Sequence, residues 1–207
     1  MRNSMGIKLI NELLENPSRF YSQGKSYLLL QEYFSGFSLE TLGPLFSHDD
    51  LFARRAAIWI ASELGSNGMR FIDDAIALLK DDDRYIRHYA LEVIAVCAVE
   101  ENLCKFANVV SFLECEDEAL WCLVMLLILN ANQFQLMKCA EYFGEIESYN
   151  EIHLEGLKGL LENYNVTQEQ VKLMLCNDNH IVRRYGQIIA KKKFPDLEFS
   201  TLWNTLL

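Results

Sequence analysis

The sequence is short of proline, of positive charge and of long apolar runs, and each shortage excludes a class of protein. Only 3 of its 207 residues are proline, and no Gly/Ser-rich or charged low-complexity run interrupts the chain, so we expect neither a linker nor a disordered tail. The 19 Lys and Arg are outnumbered by 29 Asp and Glu, which gives a formal net charge of −10. Because a phosphate backbone is bound by clustered cations, this balance argues against nucleic acid as the main partner.

The apolar segments are too short to cross a bilayer, which takes about 20 residues of helix. The most apolar one is ALWCLVMLLILNA, which starts at Ala119. The N-terminal segment MRNSMGIKLINELLENPSRF has no long apolar stretch of the kind found in signal peptides, and it is predicted to form an amphipathic helix. We therefore expect no membrane as a partner.

Disulfide frameworks and metal sites are not predicted either. No CxxC pair is present and the cysteines lie mostly inside apolar helical patterns, which favours reduced thiols in a cytoplasmic protein. The histidines have no HExxH or HxH spacing, so surface or capping roles are expected and no metal or other cofactor is predicted. The residues concerned are Cys97, Cys104, Cys115, Cys122, Cys139, Cys176, His48, His88, His153 and His180.

What the sequence does contain is a repeat with a period of 33 residues. The stretches HDDLFARRAAIWIASELG and KDDDRYIRHYALEVIAVCA each have acidic residues, then an arginine, then a small residue among aliphatic ones, and CNDNHIVRRYGQIIA has the same order. Three further copies are degenerate: ENPSRFYSQGKSYLLL, ECEDEALWCLVMLLIL and ESYNEIHLEGLKGLL. The matching positions are Asp49, Asp50, Arg54 and Ala57, then Asp82, Asp83, Arg87 and Ala90, then Asp178, Asn179, Arg183 and Gly186.

Each repeat predicts a helical hairpin. Apolar residues recur at spacings of three and four, and second helical patterns such as MRFIDDAIALL and QFQLMKCAEYF lie between the copies. The Asp or Asn stands where a helix N-cap belongs, and the small residue lets neighbouring helices approach. A single hairpin cannot bury its apolar face alone, whereas stacked hairpins can. We therefore predict an all-α fold, an α-solenoid of about six hairpins that forms one array over residues 1–207.

These turn acids, arginines and small residues resemble those of the HEAT repeat family and its bacterial HEAT-like relatives. The resemblance implies that the Asp and Arg of successive repeats form a ladder along the stack. It also brings in two enzyme alternatives of that architecture, the DNA glycosylases that remove alkylated bases and the bilin lyases. The basic clusters Arg54-Arg55, Arg183-Arg184 and 191–193 would serve a glycosylase, and Asp73 and Asp74 are a conceivable catalytic pair, although a solvated helix start explains them as well.

Acidic residues are concentrated in the middle of the chain, and no Lys or Arg lies between positions 139 and 157. Turns at one edge of a solenoid lie side by side, so these acids are expected to form one negative surface, either a solvated edge or a docking surface for a cationic protein. We call this surface the acidic edge. It consists of Glu114, Glu116, Asp117, Glu118, Glu141, Glu145 and Glu147.

The helix predicted in ALWCLVMLLIL is apolar all round, and such a helix must be covered. The 33-residue register aligns Trp121 with Arg55 and His88, and Met125 with Trp59 and Glu92. We therefore expect Trp121 and Met125 on the outer surface. Two alternatives remain for what packs on this helix. One is the protein's own chain, at an irregular turn of the stack; the other is a partner or a second copy, on a patch centred on Trp121 and Met125.

An acidic helical-repeat protein without recognisable catalytic residues is best interpreted as a protein-binding module, not an enzyme. In size, charge and architecture it resembles the HEAT-like immunity proteins of bacterial toxin systems. That resemblance implies a basic toxin domain, commonly a nuclease, as the partner that is bound and masked. A scaffold or adaptor protein is a further alternative.

Overall fold

The fold is entirely helical in the part of the chain that the structure describes. The structure is a computed structural model and describes residues 3–145 and 151–195. Within these ranges there are thirteen α-helices, several short 3-10 helices and no β-strand. The predicted all-α class is confirmed. The chain forms two compact units, Met1–Cys97 and Ala98–Leu207.

The first unit contains seven α-helices within its described residues. Helix α5 packs against α7, and α6 and the 3-10 helix Gly65–Phe71 pack against α7 as well. Gly65, with a φ of 56°, follows the last turn of α5, and its left-handed backbone turns the chain out of the helix. The bounds are α1 Asn3–Glu15, α2 Pro17–Ser22, α3 Lys25–Phe34, α4 Gly43–Phe46, α5 Leu51–Glu63, α6 Ile72–Leu78 and α7 Arg84–Cys97.

The second unit contains six α-helices within its described residues. Helix α10 packs against α11, α11 against α13, and α12 against α13, while α9 contacts α13. The bounds are α8 Ala107–Ser111, α9 Glu118–Asn130, α10 Gln133–Glu145, α11 Glu151–Leu160, α12 Gln168–Leu175 and α13 His180–Lys193. No single described helix is long and apolar enough to cross a membrane, and α9 and α10 reach that length and composition only as a pair bent by 116°.

The same hydrogen-bonded turn precedes α5, α7 and α13. In the first copy the Asp50 carboxylate accepts hydrogen bonds from the backbone N–H groups of Phe52 and Ala53, and so caps the helix. The Arg54 guanidinium then donates to the carbonyls of His48 and Asp49, which lie six and five residues before it. The same bonds recur in α7, from Asp83 and Arg87, and in α13, from Asn179 and Arg183.

Two ion pairs join successive turns inside the first unit. Arg54 Nε lies 2.7 Å from Asp81 Oδ2, and Arg55 donates to both carboxylate oxygens of Asp83, at 3.0 and 2.5 Å. The Arg55 guanidinium lowers the pKa of the Asp83 carboxyl. Asp83 therefore both caps α7 and binds the arginine of the preceding repeat.

The register changes by one residue at α9. Asp117, not Glu116, caps this helix and accepts a hydrogen bond from the backbone N–H of Ala119. Counted from the cap, Met125 corresponds to Ile58 and Leu91, and all three are at most 2% exposed. The prediction that Met125 lies on an exposed patch is therefore wrong, because the 33-residue step that aligned it is 34 residues long at this point.

Glycines allow α11 and α13 to pack closely. A Cβ added at Gly156 would lie 2.4 Å from the Tyr185 ring, and one at Gly159 would lie 2.7 Å from Ile189 Cδ1. Both aromatic and aliphatic side chains of α13 therefore rest directly on the backbone of α11. Tyr185 is fully buried as a result.

Candidate functional site

The acidic turn before α9 is only partly free for a partner. Glu116 and Glu118 are exposed, whereas Asp117 is half-buried and caps the helix. The side chain of Glu114 is 56% exposed, but one of its oxygens lies 2.9 Å from His153 Nε2. Two of the four predicted partner-binding acids in this turn therefore already bind groups within the protein.

The remaining acids of the acidic edge belong to the end of α10. Glu141 and Glu145 are both exposed, and Glu141 forms an ion pair with Lys138 one turn earlier. Because that pair is exposed, it contributes little to stability. Glu147 lies outside the described residues.

His153 links these two parts of the acidic edge. It is 1% exposed; its Nε2 is bound to Glu114 and its ring stacks on Phe143 of α10, with centroids 4.9 Å apart. Its Nδ1 lies 2.9 Å from the Tyr185 hydroxyl. A neutral imidazole satisfies both contacts, because Nε2–H donates to the carboxylate and Nδ1 accepts from the hydroxyl. Burial lowers the pKa of His153, although the hydrogen bond to Glu114 acts in the opposite direction.

Glu114, His153 and Tyr185 are hydrogen-bonded in sequence, as an acid, a histidine and a hydroxyl are in a catalytic relay. A substrate, however, cannot reach the hydroxyl. A relay of this kind needs a terminal nucleophile or base that a substrate can reach. Tyr185 is 0% exposed, and burial raises the pKa of its hydroxyl well above the usual range. The arrangement therefore braces α11 and α13 against the turn before α9.

The predicted apolar patch at Trp121 is covered by the chain itself. Trp121 is half-buried, and the Arg184 guanidinium of α13 lies 4.3 Å from the centre of its ring. Counted from the cap, Trp121 occupies the position of the repeated arginine. The repeated arginines donate hydrogen bonds to carbonyls of the turn before their helix. Before α9, Arg184 does this instead and donates to the carbonyls of Leu113 and Cys115. Arg184 therefore gives the Trp121 ring an intramolecular contact, and the ring stays half-buried.

The outer face of α10 was not predicted and is the more exposed apolar surface. Phe134 is 67% exposed, Met137 40% and Tyr142 42%. Phe134 and Tyr142 are eight residues apart, about two helical turns, and Met137 lies three residues after Phe134 on the same exposed side, together with charged residues. The periodicity could have revealed this, because α10 has a second apolar stripe opposite its buried one. We call this surface the α10 face; it consists of Phe134, Met137, Lys138, Glu141, Tyr142 and Glu145.

Most cations of the basic clusters donate to groups of the chain itself. Besides the arginines already described, Lys192 donates to the carbonyls of Leu129, in the last turn of α9, and of Ala131, its C-cap, at 3.2 and 3.1 Å. Lys193 donates to the carbonyls of Leu161 and Tyr164. Burial lowers the pKa of both lysines. These cations satisfy helix and turn carbonyls that would otherwise lack donors.

Metal and carboxylate chemistry have little support in the described part of the chain. No group of three or more His, Cys, Asp or Glu side chains there is arranged to hold a metal ion. Asp73 and Asp74 lie in the first turn of α6, where the helix dipole favours acids. Burial and the neighbouring Asp73 raise the pKa of Asp74.

The sequence matches no protein-family model and no curated protein.

Proposed function

We propose that this chain is a protein-binding module, and that a basic protein docks on the α10 face. The observation that carries the proposal is the exposure of Phe134, Met137 and Tyr142 on one helix side next to Glu141 and Glu145. Aromatic residues and Met are enriched at the centres of protein interfaces, and charged residues at their rims. The α10 face has both, within one helix of 13 residues.

The charge of the chain supports a cationic partner. The formal net charge is −10, and Glu116 and Glu118 add exposed carboxylates at the turn before α9. His153 contacts both that turn and α10, through Glu114 and Phe143. Complementary charge of this kind mainly accelerates association and excludes wrong partners.

The partner we propose is a toxin domain of basic, nuclease type, which an immunity protein would neutralise by binding. The resemblance in size, charge and architecture to HEAT-like immunity proteins motivates this, and the α10 face provides a surface for it. The free state of all six cysteines is in keeping with the cytoplasm as the place of action.

The HEAT-like array that we propose as the architecture is supported by its turns. Three turns repeat the same cap and the same arginine-to-carbonyl bonds. The ion pairs Arg54–Asp81 and Arg55–Asp83 each join an arginine of one repeat to an aspartate of the next, as a ladder requires.

The glycosylase alternative is disfavoured by the placement of the cations. A cleft that binds DNA presents its arginines and lysines to phosphates. Here Arg54, Arg183 and Arg184 donate to carbonyls of their own chain. Nothing in the structure favours a bilin lyase or an adaptor over a dedicated binder.

The test begins with the purified chain and the protein products of its neighbouring genes, mixed and separated by size exclusion. For a complex found in this way, association and dissociation rates are measured by stopped flow. Glu141→Lys with Glu145→Lys should slow association at least tenfold, and raising the salt should slow the unmodified protein similarly. Phe134→Ala should instead accelerate dissociation by about tenfold or more, as removal of an interface anchor does.

The matched control is Glu15→Lys with Glu40→Lys, which changes the net charge equally at exposed positions of the first unit. If the control slows association as much as the α10 variant, net charge and not the α10 face is responsible. If neither α10 variant changes the rates, the partner binds elsewhere. Salt-sensitive binding of duplex DNA that weakens in Arg183→Ala would favour the glycosylase alternative.

A further inference from the structure

A cavity of about 460 Å³ opens between α11, α12 and α13. Gly156 and Gly159 have no side chains on its α11 side, and the buried side chains of Tyr185 and Ile189 pack against them at the base of the cavity. The other walls are mostly apolar, with the polar side chain of Gln170 among Ile152, Val166, Leu173, Met174 and Val182. The volume lies in the range of small-molecule sites, which are concave, mostly apolar and marked by a few polar groups.

The charged groups that line this cavity are of one sign. Among the described residues that line it, the charged ones are Glu151 and Glu155, both on α11 and both exposed. Glu155 shares its charge with Lys158, one turn further on, at 2.7 Å. Tyr164 also lines the cavity, and its ring offers a face on which a cation can rest.

We propose that this cavity binds a small organic ammonium ion with an apolar body, such as an alkylamine. The apolar walls take up the hydrocarbon, and the carboxylates attract the ammonium group and repel a carboxylate of the same length. The site is separate from the α10 face, and the proposal does not rest on the proposed protein-binding function.

The test is calorimetric titration of the whole chain with n-alkylammonium ions from butyl to octyl. We expect saturable binding of one ion per chain. The affinity should rise with each added methylene, by less than the roughly fourfold of complete burial, because the wall residue Leu173 is 72% exposed. Octanoate should bind at least tenfold more weakly than octylammonium. Equal affinities for the two ions would overturn the assignment of charge.

Variants locate the binding. Val182→Trp should fill the cavity and abolish binding, and a thermal melt checks that the variant folds. Glu151→Gln with Glu155→Gln should weaken octylammonium three- to tenfold and leave 1-octanol unaffected. The control is Glu169→Gln, an exposed acid on α12 that does not line the cavity.

Three results would overturn the proposal. The first is binding that does not saturate. The second is binding that persists in a folded Val182→Trp variant. The third is displacement of octylammonium by a synthetic peptide of residues 196–207, which would assign the cavity to the chain itself. If Val182→Trp does not fold, retention of octylammonium affinity in the double Glu→Gln variant would also overturn it.

Discussion

Replacing Gly156 by Ala should destabilise the protein, although the same change usually stabilises a helix. Alanine is favoured over glycine inside a helix by about 1 kcal/mol. The new Cβ, however, would lie 2.4 Å from the ring of Tyr185, about 1 Å closer than an ordinary contact. Either α11 moves away from α13, or Tyr185 rotates and gives up its 2.9 Å hydrogen bond to His153.

Both responses are costly. Overpacking of a core costs about 1–3 kcal/mol, and an orphaned buried polar group costs a further ~1–3 kcal/mol. We therefore expect Gly156→Ala to lower the free energy of unfolding by about 1–3 kcal/mol net of the helical preference. The assay is urea unfolding followed by circular dichroism, with the slope against urea checked for two-state behaviour.

Gly144→Ala is the matched control. Its Cβ would lie 3.8 Å from Leu154, an ordinary contact, so the helical preference should prevail and the protein should gain up to about 1 kcal/mol. If Gly156→Ala is as stable as the parent protein while Gly144→Ala gains stability, the prediction for Gly156 is wrong. In that case α11 and α13 are not as close as the structure has them.

Three further predictions concern single contacts. Because burial lowers the pKa of His153, the unfolded chain binds more protons than the folded one below pH ~6.5. The free energy of unfolding should therefore fall by up to about 1.4 kcal/mol per pH unit as the pH drops from 6.5 towards the folded pKa. Urea unfolding of His153→Gln between pH 5.5 and 7.5 should lack this dependence. Arg184→Met should lower the free energy of unfolding by about 2 kcal/mol, because its hydrogen bonds to carbonyls and its contact with Trp121 are lost. Arg183→Met should lower it by less than about 1 kcal/mol, because the hydrogen bonds of Arg183 are exposed. Chemical unfolding of the two variants tests this, and equal losses would contradict it. Ala90→Phe, at a position that is 0% exposed, should cost about 1–3 kcal/mol, and an unchanged melting temperature would count against the repeat alignment.

The parts of the fold that could be predicted are those that short segments determine. Asp50, Asp83 and Asn179 were expected as helix caps and are caps, because a cap needs only its own side chain and two nearby N–H groups.

The error at α9 also has a local cause, and its signal was present. Glu116, Asp117 and Glu118 are consecutive acids, and the period alone selects Glu116. Asp is preferred over Glu at an N-cap because its shorter side chain reaches the backbone N–H groups. Giving that preference more weight than the period would have moved the register by one residue and placed Met125 in the core.

The contacts that α11 and α13 make with distant segments of the chain could not be predicted in this way. Arg184 donates to the carbonyl of Cys115, 69 residues earlier, and no spacing rule applies over that distance. His153 and Glu114 are 39 residues apart. Such pairs depend on how the helices pack, which is decided by the fit of many side chains together and not by any one segment.

The inward cations bear directly on the proposed partner. A lysine or arginine that donates to two backbone carbonyls has its charged group turned towards the protein, as Lys192 and Arg184 do. Its charge still counts in the formal total of −10, but it is less able to pair with a carboxylate on the outer surface. The carboxylates of Glu116, Glu118 and Glu145 are exposed. A protein that docks beside them therefore gains most if it brings its own cations, which is why we propose a basic partner.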